Sequence, residues 1–352
     1  MPAARFACEI ALMTLPFPAP RFLALSESRE LAARIAGEAR LPLAALEERS
    51  FDGGEFKLRP LESVRGRAVL VFQSLAGSAA VSVAERFVRL LFLLNGLRDA
   101  GAERRIALVP YLAYARKDRR TQIRDPVNTR YVAQLLEVSG ADRLIALDVH
   151  NPAALDNAFR IPVDHLSALP MFADYFARRF TDAPLAVASP DVGGIKRVQV
   201  FRELLEARLG REVELAFIEK RRAAGVVSGG ALVGLPAGQP TVIVLDDLCA
   251  TGGTLIRAAQ ICRGAGAAAV HVAVTHLPLD SGVRALLASE AIAGIVATDS
   301  VGSALQHQAL SAARSKLVLL SVGPLFGQAV QRLLAGKALA PLLRQWPVAA
   351  DD

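Results

Sequence analysis

The chain carries one order of segments twice, and that repetition limits its fold more than any other feature. In the first half the apolar run Arg67–Ser74 leads through a polar loop to an amphipathic stretch from about Val81 to Leu97. Ala100-Gly101-Ala102 and the apolar run Arg105–Pro110 follow. The second half has Thr241–Leu245, an acidic loop, a helical stretch to about Arg263, then Gly264-Ala265-Gly266 and Ala269–Val274. Each copy passes through a further helical stretch to a short apolar run, Leu144–Asp148 in one and Ile292–Thr298 in the other. Apolar strands alternating with helices predict an α/β chain whose parallel sheets are covered on both faces. The period is far longer than the ~20–50 residues of a solenoid repeat, so it reads as a duplicated domain. With 352 residues, 53% of them hydrophobic, the chain is large enough for two such cores.

In parallel α/β sheets ligands lie beyond the carboxyl ends of the strands, and the segments after Val109, Leu147, Ala188, Ile218 and Leu245 are all polar. The last reads Asp246-Asp247-Leu248-Cys249-Ala250-Thr251-Gly252-Gly253-Thr254 and opens a helix at Leu255. The glycines admit backbone N–H groups close to a phosphate, and the helix N-terminus adds partial positive charge. The two acids suit vicinal ribose hydroxyls or a metal, so the segment reads as a grip for a phosphorylated sugar; an acidic helix cap is the plainer reading. The first copy has Gln73–Ser78 at this point and neither acid.

Tyr111–Arg120 brings Arg116, Lys117, Arg119 and Arg120 to one loop, a clamp for a triphosphate or a solvated charge run. Asp148 and His150 alternate along an extended backbone and are expected to face one side, as a pair of Mg²⁺ or phosphate ligands. Ser189–Gly194 offers Asp191 with paired glycines. Lys220, Arg221 and Arg222 enter the glycine-rich stretch Ala223–Gly238, expected to be a mobile lid, or else a basic turn before a hairpin.

Composition narrows the partners. The net charge is +7, but the cations are dispersed and only 6% of residues are aromatic, which points to phosphorylated small molecules rather than nucleic acid. Cys8, Cys249 and Cys262 lack metal-ligand spacing and fit a reducing cytoplasm, with Cys249 a small loop filler. Met1–Pro20 reads as a disordered extension rather than a signal peptide. Ala223–Leu245 has the length of a membrane span, but its Gly, Pro, Ser and Gln make it a loop and a strand, so no membrane segment is expected.

Taken together, SFDGGE at Ser50–Glu55, YARKDRR at Tyr114–Arg120, DVH at Asp148–His150, IPVDHL, SPDVGG, EKRR, DDLCATGGT and VTH resemble the ribose-phosphate pyrophosphokinase family, the phosphoribosyl pyrophosphate synthetases. The likeness runs from about Arg21 to Leu343. It implies two duplicated phosphoribosyltransferase-like (type I) domains, at 21–167 and 168–319, with segment 320–345 returning to the first and a tail at 346–352. The closing strand and helix at Leu320–Lys337 would both make that return. It also implies transfer of the diphosphoryl group of ATP to O1 of ribose 5-phosphate with Mg²⁺, giving phosphoribosyl pyrophosphate and AMP. In that reading Ala250, Thr251, Gly252, Gly253 and Thr254 bind the 5-phosphate, and Asp246 and Asp247 bind the ribose hydroxyls. Arg116 and Lys117 face the ATP phosphates, His150 and Asp191 hold Mg–ATP, and Lys220 and Arg222 stabilise the transition state. Phe51, Gly53, Gly54 and Glu55 belong to the ATP site, with Phe51 and Glu55 reaching the adenine of a neighbouring subunit. That implies a homo-oligomer, a dimer or a ring of dimers.

The chain departs from the family pattern at Gly53, where an acid is usual, at Ala250, where threonine is usual, and at Lys117 in place of glutamine. Asn151–Arg160 replaces a glutamine-rich stretch. Two other functions share some of these motifs. A phosphoribosyltransferase consumes the same product, but has no use for the duplication, YARKDRR or EKRR. A non-catalytic regulatory homologue of the synthetase tends to lose lid or sugar-loop residues, and this chain keeps Lys220, Arg222, Asp246 and Asp247.

Overall fold

The computed structural model describes residues 18–78, 80–223, 226–235, 238–278, 281–301 and 316–343, with 219–223, 226–231 and 281 described by backbone alone. The first half runs β1 (Arg21–Ala24), α1 (Arg29–Ala39), a hairpin of β2 (Leu46–Ser50) and β3 (Phe56–Pro60), β4 (Ala68–Phe72), α2 (Val83–Asp99), β5 (Arg104–Val109), α3 (Asn128–Val138), β6 (Arg143–Leu147), α4 (Pro152–Ala158), β7 (Val163–Leu166) and α5 (Leu169–Arg179). The second half repeats the order: β8 (Leu185–Ser189), α6 (Ile195–Leu209), a hairpin of β9 (Glu214–Ala223) and β10 (Val226–Val233), β11 (Thr241–Leu248), α7 (Gly253–Gly264), β12 (Ala269–His276), α8 (Ser281–Ala288), β13 (Gly294–Thr298), β14 (Leu317–Leu320) and α9 (Gly323–Leu334).

Strands β1-β4-β5-β6-β7 form one parallel sheet. Strands β10-β9-β8-β11-β12-β13-β14 form the other, parallel except for the β9–β10 pair. The chain is α/β, with helices on both faces of its parallel sheets, as the alternation of runs predicts. Register relates the copies residue by residue: Val69 lies beside Arg105 as Val242 lies beside Val270. Gln73 and Ser74 therefore take the places of Asp246 and Asp247.

The period-2 alternation of side chains divides each sheet between two cores. Phe22, Ala24, Leu70 and Phe72 face a central core, while Leu23, Leu25, Val69 and Val71 face an outer one with α2 and α3. In the second half Ile243 and Leu245 face the central core, and Val242 and Val244 pack outward with α7. The central core is shared by both halves. It joins the two sheets through α1, α5, α6 and α9, with Phe172, Phe176, Phe201 and Phe326 fully buried.

The helices cross over. α9, which closes the second half, packs on α1 of the first, and α5, which closes the first, packs on α6 of the second. A Cβ at Gly327 would run into the Glu38 side chain and lie 3.2 Å from the Ala39 amide nitrogen, so glycine is what lets α9 approach α1. Gln331 Nε2 donates to the Glu38 carbonyl at 2.7 Å, and Arg34 pairs with Asp299 at 3.1 Å.

Three expectations need correction. The closing strand does not return to the first half: β14 pairs with β13, and α9 alone makes the return. The stretch after Ile218 is no open loop, since Lys220 and Arg222 stand on β9 opposite Gly230 and Val227 of β10. The β-branched Val226-Val227 and the apolar Ala231–Val233 supply a strand, with a register shift at Ser228–Gly230. Third, Asp148 and His150 do not share a side. Asp148 has φ 37°, which breaks the alternation; it is buried while His150 is exposed. Residues 1–17 of the expected extension and the whole tail at 346–352 lie outside the described residues. No helix among the described residues is long and apolar enough to cross a membrane.

Candidate active site

The carboxyl ends of the two sheets meet. Thr275 Oγ1, at the end of β12, donates to Asp148 beyond β6 at 2.6 Å, and His276 Nε2 lies 3.0 Å from the Leu147 carbonyl. A carbonyl only accepts, so Nε2 carries the proton and Nδ1 accepts from Ser300 Oγ at 2.8 Å. Ser74 Oγ donates to the Ser300 carbonyl at 2.7 Å. His276 is buried against Tyr111, and burial pushes its pKa down, so it serves as a neutral tie between the halves.

Asp148 also accepts from Ser167 Oγ at 2.7 Å and from the Ala168 amide at 3.0 Å, at the start of α5. Its counterpart Asp299 accepts from the Val322 amide at 2.8 Å, at the start of α9. Both aspartates anchor the N-termini of the exchanged helices, where a negative charge is favoured. That is why Asp148 is unavailable as a ligand.

His150 points instead to the second half. Its Nδ1 lies 3.0 Å from Asp247 Oδ2, which leaves Nε2 for another partner. The hydrogen bond to Asp247 raises the His150 pKa against the opposing effect of burial. The bond is therefore strongest at a pH below the ordinary histidine value, about 6.5, and weakens as pH rises through the higher folded value. An NMR titration of the ring is expected to give a midpoint above 6.5, and Asp247→Asn to lower it; an unmoved midpoint would break the assignment.

Asp246 and Asp247 end β11 side by side. Burial and then the charge of Asp247 push Asp246 upward. Burial also acts to raise Asp247, but His150 and the Arg197 guanidinium outweigh it and hold Asp247 well below the carboxylate range. Arg197, in the first turn of α6, lies 2.8 Å from Asp247 and 3.5 Å from Asp246. It also donates to the His150 carbonyl at 3.2 Å. Sequence reasoning missed Arg197; its one signal was a cation six positions after Asp191, in the first turn of the helix that SPDVGG opens.

The Ala250–Thr254 loop leads into α7, with Gly252 at its N-cap at φ 77°. A Cβ there would stand 2.9 Å from the Gly282 carbonyl oxygen, so the loop's path against α8 requires glycine. Thr251, Gly253 and Thr254 are exposed, and the first-turn N–H groups have no partner within their own helix. Cys249 beneath them is buried in the outer core of the second half.

The remaining sites are distributed. Asp191 Oδ1 accepts from the Gly193 and Gly194 amides at 3.0 and 3.3 Å and so shapes the turn before α6. Arg116 is exposed and forms no ion pair with a described residue. Lys117 is turned into its own loop, with Nζ 2.6 Å from Asp125 and 3.0 Å from Thr121 Oγ1. Asp118 and Asn151 connect the Arg116 loop to the His150 loop at 2.5 Å. Phe51, Gly53, Gly54 and Glu55 are exposed at the β2–β3 tip, and Gly53 and Gly54 have φ 85° and 90°. That hairpin rests on α2 through Phe56 on Phe92 and Arg89 on Ser50. Among the described residues no hydrogen bond or ion pair joins its tip to Asp247. The side chains of Lys220 and Arg222 lie outside the described residues, so the convergence comprises Asp246, Asp247, His150 and Arg197 beside the Ala250–Thr254 loop.

This arrangement of paired halves has known counterparts. Residues 21–140 match the N-terminal domain of ribose phosphate pyrophosphokinase, and residues 171–288 match a phosphoribosyl transferase domain. Ribose-phosphate pyrophosphokinase 1 of Streptococcus pneumoniae is 33% identical over 92% of this chain and 96% of its own length. The chain belongs to the ribose-phosphate pyrophosphokinase family. The protein of the same name from Streptococcus mutans is 32% identical over the same shares. Among solved structures, phosphoribosylpyrophosphate synthetase from Mycobacterium smegmatis superposes with a TM-score of 0.78 at 29% identity, covering 90% of this chain and 99% of that one. Of the chain's two domain matches, the first takes in Phe51 and Arg116, and the second takes in Asp191, Arg197 and the Asp246–Thr254 segment. His150, which faces Asp247, lies between them.

Proposed function

We propose that this chain transfers the diphosphoryl group of ATP to O1 of ribose 5-phosphate, yielding phosphoribosyl pyrophosphate and AMP. The observation that carries this reading is the junction of His150 from one half with Asp247 and the Ala250–Thr254 loop from the other. A sugar held by the loop and the two acids stands beside the nucleotide-side residues of the first half. Ala250–Thr254 take the 5-phosphate, and Asp246 and Asp247 accept from the ribose hydroxyls. Arg116 approaches the ATP phosphates; Lys117 joins it only by leaving Asp125. The O1 hydroxyl oxygen bonds to the β-phosphorus, the bond from that phosphorus to the α-phosphate oxygen breaks, and AMP leaves with the electron pair. The hydroxyl proton passes to solvent. Negative charge spreads over the transferring oxygens, and Lys220 and Arg222 on β9 are assigned to stabilise it.

Among the described residues no three His, Cys, Asp or Glu side chains gather into a metal cage. The donors assigned here, an imidazole nitrogen of His150 and the Asp191 carboxylate, are of the type and number that suit Mg²⁺, which is bound mainly by substrate phosphates and water with few protein ligands. When bound there it neutralises phosphate charge. The exposed Phe51–Glu55 tip is assigned to a neighbouring copy's nucleotide, which makes the working form a dimer or a ring of dimers in the cytoplasm.

Incubation with ATP, Mg²⁺ and ribose 5-phosphate is expected to release AMP, and Lys220→Ala to lower kcat by about 10²–10³-fold. Pyrophosphate release on adding phosphoribosyl pyrophosphate and a base, without AMP formation in the first assay, would assign the transferase reaction instead. No turnover at any phosphate concentration would favour a regulatory homologue.

A further inference from the structure

We propose that Arg197 is a positioning residue, the resident counter-cation that fixes the ribose-binding carboxylates and ties them to the nucleotide side of the site. The inference rests on the sugar-binding role given to Asp246 and Asp247.

Two carboxylates ending one strand repel each other, and Asp247 is almost fully buried. Among the described residues, Arg197 and His150 are the side chains that pair with them. Each holds a different oxygen of Asp247: the Arg197 guanidinium holds Oδ1 at 2.8 Å and the His150 ring holds Oδ2 at 3.0 Å. A carboxylate offers about four acceptor positions. Both oxygens are thus fixed in direction while each keeps a lone pair for a sugar hydroxyl. The same guanidinium reaches Asp246 at 3.5 Å and, through its other terminal nitrogen, the His150 carbonyl at 3.2 Å.

One planar fork therefore holds the carboxylate pair of the second half and the backbone of the first half. Lysine, a point charge, cannot span acceptors in that way. The neighbouring Lys196 is exposed and forms no ion pair with a described residue, so nothing in the first turn of α6 substitutes for Arg197. Acting through Asp247, Arg197 should matter to the sugar far more than to ATP.

Direct calorimetric binding of ribose 5-phosphate tests this, alongside ATP binding and melting temperature, for Arg197→Gln, Arg197→Lys, Asp247→Asn and the double variant Arg197→Gln/Asp247→Asn. Arg197→Gln is expected to weaken ribose 5-phosphate binding about tenfold or more, with ATP binding changed less than about twofold. Arg197→Lys is expected to fall between Arg197→Gln and the natural protein, and keeps the comparison available if the glutamine variant misfolds. Because the shortest contact of Arg197 is the one to Asp247, and the proposed role acts through it, the double variant should bind within about twofold of Asp247→Asn alone. Penalties that multiply, a loss confined to ATP, or full recovery by lysine would overturn the inference while leaving the proposed reaction intact. Failure of the natural protein to bind ribose 5-phosphate would overturn the reaction and the inference together.

Discussion

Replacing Asp148 with alanine is expected to lower folding stability by about 3 kcal/mol, because buried donors left unpaired cost roughly 1–3 kcal/mol each. The aspartate receives hydrogen bonds from Ser167, Ala168 and Thr275, so the substitution strips the start of α5 and cuts a tie between the halves at once. Thermal unfolding should show the loss as several degrees. Thr275→Val removes only the tie between halves and should cost about 1 kcal/mol. If Asp148 were a metal ligand, as its spacing from His150 suggests, Asp148→Ala would instead leave the melting temperature unchanged and alter only Mg²⁺ dependence.

Gly252→Ala is expected to weaken ribose 5-phosphate binding about tenfold or more. A φ of 77° costs a residue bearing a Cβ roughly 1–2 kcal/mol, and the new atom would stand 2.9 Å from the Gly282 carbonyl oxygen. The loop must move off α8, and the amides that open α7 turn with it. Gly253→Ala is the control. Its Cβ would meet nothing closer than Thr251 Oγ1 at 3.8 Å, so the melting temperature should hold. A Gly252→Ala protein that binds ribose 5-phosphate as tightly as the natural chain would show that the loop does not grip the phosphate.

Parallel strands such as β4, β5, β6, β11, β12 and β13 were legible because they are largely apolar runs bounded by polar loops, whereas β7, Val163-Asp164-His165-Leu166, is not such a run. The duplication was legible because both copies keep the same order. The sugar loop was legible too, since Asp-Asp, Gly-Gly and the flanking threonines sit within one short segment. What stayed hidden depends on contacts far apart in sequence or on a single backbone angle. Asp148 reads as a partner of His150 only while the backbone is taken as extended; its positive φ redirects it into the core. Arg197 belongs to no motif, and its role emerges only when α6 is folded beside β11. Lys117 reads as a free cation because Asp125 lies eight positions on, past a turn that brings it back. β14 reads as part of a return to the first half, yet its backbone hydrogen bonds are satisfied beside β13.

The crossing of α5 and α9 has a consequence for synthesis. A ribosome delivers the first half complete in sequence, and multidomain chains commonly fold such a unit as it emerges. Here the face of α1 stays bare until late, because the helix that covers it, α9, is made only after the strands of the second half. The nascent first half must wait with apolar surface exposed, and its native packing is completed only once the second half has been made as well.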